Sequence, residues 1–89
     1  MKLQKKTKLN KIKPGDVYRL ISPYGDDWRP ILHSPGNKAI AIEIGQEIMV
    51  LEIKRVNYFL SLYVIFLGEE TIGWMNFTNE NCKKWKKIL

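Results

Sequence analysis

The sequence predicts an all-β fold, a small barrel of five or six strands, on three observations. Turn signals recur about every 8–12 residues, the apolar segments between them are short, and no long helical repeat runs through the middle of the chain. A barrel is the arrangement of so many short strands that leaves fewest open edges. Eighty-nine residues, 45% of them hydrophobic, make one domain. Its stability is expected to be modest, on the order of 5 kcal/mol.

Residues 1–13 are polar apart from Met1, Leu3, Leu9 and Ile12, and read as a basic arm. Pro14-Gly15-Asp16 is a turn signal, and residues 17–21 follow as a first strand. Residues 22–38 form a long excursion rich in Pro, Gly, Ser and Asn, with a second extended piece over 28–33. Residues 39–44 alternate Ala and Glu with Ile40, Ile42 and Ile44, a period of two with one apolar face. Gly45 and Gln46 interrupt that pattern, and 48–56 resumes it. Asn57 turns the chain into 58–67, the most apolar strand, with both faces expected to see little water. Gly68-Glu69-Glu70 then leads into Thr71-Ile72-Gly73-Trp74-Met75. Thr78 is placed as the N-cap of a short C-terminal helix over 79–89, with Cys82, Trp85 and Leu89 on one face. The expected organisation is therefore an arm over 1–13, a barrel over 14–78 and a basic helix over 79–89.

The charge is divided unevenly. The arm carries Lys2, Lys5, Lys6, Lys8, Lys11 and Lys13 and no acid, and the last seven residues add Lys83, Lys84, Lys86 and Lys87. Between them, five basic groups face nine acids, so a mildly acidic body is flanked by ends totalling +10. The arm has no apolar segment of the secretory type, and 58–67 is far shorter than the ~20 residues of a membrane helix. A single cysteine, Cys82, precludes an intramolecular disulfide. A soluble, cytoplasmic protein with no membrane partner is the expectation.

Three pieces of this pattern resemble the Src-homology-3 (SH3-like) barrel in its prokaryotic and phage form. Gly45 followed by Ile48 and Val50 is similar to the glycine-led strand after the long first loop. Residues 58–67 stand where the central strand lies, and 68–75, with Gly73-Trp74, where the closing hairpin does. The resemblance covers roughly residues 15–78 and implies that 22–38 is the functional loop. Asn76 stands where members that bind proline-rich peptides have a proline, and Tyr58-Phe59 where they have paired tryptophans. Asp26 and Asp27 are the only echo of their acidic loop. The resemblance thus implies the barrel rather than that ligand.

Single residues limit the chemistry further. His33 is the sole histidine, with no cysteine or second histidine near it in sequence, so no metal, cofactor or catalytic set is expected, and the chain is not read as an enzyme. Cys82 beside Lys83 and Lys84 could be an activated thiol, but a small buried residue is the expectation. Trp74, next to Gly73, is expected in the core. Trp28, beside Tyr24 and Arg29 in the long loop, either offers an aromatic surface or plugs a barrel end.

Ten terminal lysines suit phosphate neutralisation, and lysine outnumbers arginine twelve to three, which favours sequence-independent contact over base reading. The leading expectation is a non-catalytic accessory protein docking on nucleic acid or a nucleoprotein assembly through these lysines, with Tyr24, Trp28 and Arg29 as a loop contact. The alternative is a protein–protein module, phage-encoded on the strength of its size and Lys, Ile and Asn usage. It would bind a host or virion protein through the long loop or a strand edge.

Overall fold

The computed structural model describes residues 9–25, 30–36, 38–69 and 71–89. They form one curled antiparallel sheet of seven strands: β1 Val17–Leu20, β2 Ile31–Ser34, β3 Lys38–Ala41, β4 Glu47–Val56, β5 Phe59–Phe66, β6 Thr71–Thr78 and β7 Trp85–Lys87. Their spatial order is β3-β2-β6-β5-β4-β1-β7. The all-β class is as expected, but the strand count is higher. The additional strand is β7, where a helix was expected; the extended piece over 28–33 and the alternating segment 39–44 pair as a hairpin, β2–β3, from Ile31↔Ala41 to Ser34↔Lys38.

The β4–β5–β6 meander is the centre of the molecule. Along β5 the alternation is complete: Leu60, Leu62, Val64 and Phe66 point inward and are buried, while Ser61, Tyr63 and Ile65 point outward and are half-buried. Gly45 lies at a φ of +96° in the turn before β4, a conformation that favours glycine, and its N–H donates to the Leu20 carbonyl. In β4 the register slips between Val50 and Glu52, so Leu51 is an extra, bulged residue. Such a bulge bends the strand and increases its twist. Residues 47–49 can therefore pair with β1 while the whole strand pairs with β5.

Gly73 sets the other junction. A Cβ there would lie 2.6 Å from the His33 carbonyl oxygen and 2.9 Å from Leu32 Cγ. Only glycine lets β2 cross β6 this closely, and the crossing buries Leu32 completely. Trp74, next in the chain, points outward and is 38% exposed, contrary to its expected place in the core. The reason is phase: Gly73, Met75 and Phe77 take the inner face, which leaves the outer one to Trp74.

The C-terminal segment also departs from expectation. Residues Asn81–Lys84 make one 3-10 turn, and Trp85 then enters extended backbone as β7. The N-cap position is Glu80, without a side-chain cap, rather than Thr78; Thr78 Oγ1 accepts from Asn81 N–H at 3.0 Å as the chain enters the turn, and no α-helix follows. Two effects favour the strand. Lysines at helical spacing, Lys83 with Lys86 and Lys87, would repel one another. The open edge of β1 meanwhile needs partners, which it finds where Ile21 N–H donates to Lys84 and Val17 N–H to Leu89.

Trp85 is almost wholly buried against Phe77, with ring centroids 5.4 Å apart, and its indole N–H donates to Tyr24 Oη at 2.8 Å. Among the described residues no helix is long and apolar enough to cross a membrane.

Candidate nucleic-acid interface

The described part of the basic arm, residues 9–13, and the basic C-terminal segment, residues 83–89, are far apart in sequence and meet at the β1–β7 side of the sheet. Three ties bring them there. Ile12 is buried in the core, which fixes the start of the described chain against the barrel. Leu9 packs against the same core, its backbone close to the Cys82 thiol. Asp16, only 7% exposed, accepts from Lys13 N–H at 3.0 Å and from the Tyr18 hydroxyl at 2.9 Å. Its other oxygen lies 3.5 Å from Lys87 Nζ.

Lys11, Lys13, Lys83, Lys86 and Lys87 are exposed around this junction, and Lys84 is half-buried. Lys86 stands directly across from Arg19 on the outward face. Arg19 is not a spare cation, because both its Nε and Nη2 donate to Glu47 Oε2, at 2.9 and 2.7 Å. The Arg19–Glu47 pair is solvent-screened, and Lys87 reaches the buried Asp16 from an exposed position at 3.5 Å, so neither contributes much to stability. Their effect here is on charge: among the described residues they occupy Arg19 and Lys87, while Lys11, Lys13, Lys83, Lys84 and Lys86 make no ion pair with another described residue.

Asp16 matters structurally for a different reason. Its carboxylate satisfies two donors, one of them the buried Tyr18 hydroxyl, whose pKa is held well above the ordinary phenol value by burial first and by that carboxylate. Replacing Asp16 by alanine strands both donors and is expected to cost about 1–3 kcal/mol. Urea unfolding measures this; a variant as stable as the parent would show that the junction does not depend on Asp16.

The remaining predicted positions divide. Lys2, Lys5, Lys6, Lys8, Trp28 and Arg29 lie outside the described residues. Tyr24 is half-buried, packed on the core and hydrogen-bonded to Trp85, which gives it a structural task. Burial raises its phenol to about 12, the bond from Trp85 offsetting part of the shift, so the ring stays neutral. Cys82 is buried, and desolvation raises its thiol above the ordinary value despite Lys83 nearby. It is held as a protonated thiol, a poor nucleophile. His33 sits on the exposed face of β2, opposite Trp74.

What the sequence reading missed is on the outer face of the meander. Tyr63 and Trp74 are cross-strand partners whose ring centroids are 4.8 Å apart at 44°. The phase of β6, readable from Met75 and Phe77, was the available signal. No family model, no curated protein and no solved structure matches the chain.

Proposed function

We propose that this chain is a non-catalytic accessory protein that docks on nucleic acid or a nucleoprotein assembly through its lysine-rich ends. The observation that carries this reading is the convergence of the two basic segments at Asp16 and Cys82. Lysines scattered for solubility alone would not need to share one edge of the sheet. Each phosphate neutralised there releases counterions, so affinity rises as salt falls. We further propose that the body is a barrel of the SH3-like type. In support, a three-stranded meander is followed by a 3-10 turn and a last strand that returns to pair with the first. Such a role belongs in the cytoplasm, where nucleic acid is at hand.

The reading is tested by measuring the binding of generic duplex and single-stranded nucleic acid at about 50 and about 200 mM salt. Binding at the lower salt that weakens steeply at the higher one is expected. Absence of binding at low salt, or affinity indifferent to salt, contradicts it.

One observation favours the protein–protein alternative. β3 is an open edge that carries one lysine, Lys38, at its start and only the small, exposed Ala39 and Ala41 beyond it on its outward face, whereas the other edge strand, β7, carries adjacent Lys86 and Lys87. Lysine guards an edge against strand addition, and alanine does not. Capture of a partner that survives nuclease treatment is the outcome this alternative predicts.

A further inference from the structure

We propose that the outer face of the β5–β6 hairpin, centred on Tyr63 and Trp74, is a stacking site for unpaired bases of a single-stranded nucleic acid. The inference rests on the nucleic-acid reading above and deepens it by naming the form of nucleic acid that is bound.

The fold does not require this aromatic pair. The inner residues of β5 and β6 already build the core, and Trp74 keeps 38% of its surface in solvent. A large ring held on a strand by a cross-strand aromatic neighbour is a rigid, partly desolvated platform that loses little entropy on binding. The residues around it suit a polyanion with exposed bases. On one side the next cross-strand row is Lys54–Ser61–Asn76, a cation flanked by a hydroxyl and an amide. His33 faces Trp74 from β2. Glu52, opposite Tyr63 on β4, is the one acid in these rows, and it disfavours phosphate on that flank. The nucleic-acid backbone is thereby directed toward Lys54, Asn76 and His33.

Of the basic edge, Lys86 lies on the platform's face of the sheet. Lys86, Arg19 and Glu47 form an outward row across β7, β1 and β4. Val17, Met49, Ile65 and Ile72 form the next, reaching β6, with Val17 buried, Met49 and Ile65 half-buried and Ile72 exposed. From β7 to β6 is four interstrand spacings, about 19 Å along the sheet. That is within the length of single strand, about 4–16 nucleotides, that one small barrel covers. Unpaired bases are required because a duplex keeps its base faces stacked inside, out of reach of rings on a sheet. The apolar row would serve a protein partner equally; the cation, hydroxyl and amide of the row on the platform's other side are what favour a polyanion.

Fluorescence anisotropy with the full chain tests this, using a labelled oligothymidylate of about 12 nucleotides and a duplex of about the same length. Trp74→Phe keeps a ring, Trp74→Leu keeps apolar cross-strand packing without one, and circular dichroism checks that both fold. The expected result is that Trp74→Leu weakens oligothymidylate binding at least about fivefold while Trp74→Phe largely retains it. Duplex affinity and the salt slope should not change in either. Oligothymidylate affinity unchanged in Trp74→Leu overturns the stacking site, yet leaves the lysine edge standing if binding remains salt-dependent. If the parent chain binds neither nucleic acid, both readings fall. A protein captured by the parent and lost in both variants would assign the face to a protein instead.

Discussion

Replacing Trp85 by alanine is expected to leave the protein largely unfolded near room temperature. Trp85 is 1% exposed, packs on Phe77 and bonds Tyr24, so truncation removes a ring from the point where β7, β6 and the long loop meet. Losses of this kind run to about 3–5 kcal/mol. A domain of this size holds on the order of 5 kcal/mol in total. Trp85→Phe separates the two contributions, since it keeps most of the packing and loses only the indole hydrogen bond, at about 1 kcal/mol. Urea unfolding followed by far-ultraviolet circular dichroism reads both. An alanine variant with parental stability would mean that the C-terminal segment does not close the sheet as β7.

Gly73→Ala is the second large effect, and it acts by overcrowding rather than by loss. The added methyl would stand 2.6 Å from a backbone oxygen of His33, which no rotamer change relieves. Either β6 or the β2–β3 hairpin must move, and the hairpin moves more easily because a single bridge, His33↔Trp74, pairs it to β6. Overpacking of this kind costs about 1–3 kcal/mol, and more where the backbone must yield. Amide exchange should locate the damage: protection in β2 and β3 is lost while β4 and β5 keep theirs. Uniform loss, or none, would contradict the view that Gly73 exists to admit β2.

These two positions show where the sequence was readable and where it was not. The meander was legible because its strands are long apolar segments separated by clear turn signals, Asn57 and Gly68, and Gly45 behaves as its place before β4 suggested. The fate of residues 79–89 was not. Cys82 and Trp85 are spaced alike for one helical turn and for a 3-10 turn running into a strand. What decides is the unpaired edge of β1, a tertiary demand that no local signal reports. Trp74 was misjudged because the glycine before it suggested burial, whereas the inward phase of Met75 and Phe77 decides the matter. The basic clusters were evident from composition. Their meeting at Asp16 was not, because it depends on β7 returning beside β1.

The central claim is that lysines from both ends act as one phosphate-binding edge, and the salt dependence of duplex binding tests it most directly. For the full chain, log affinity should fall linearly with log salt, by about 0.9 for each phosphate neutralised. Lys13→Ala and Lys86→Ala, drawn from opposite ends of the chain, should each lower that slope by about 0.9, and by about 1.8 together, with the fold intact. A slope unmoved by either substitution, or moved by one alone, would contradict a single edge built from both ends.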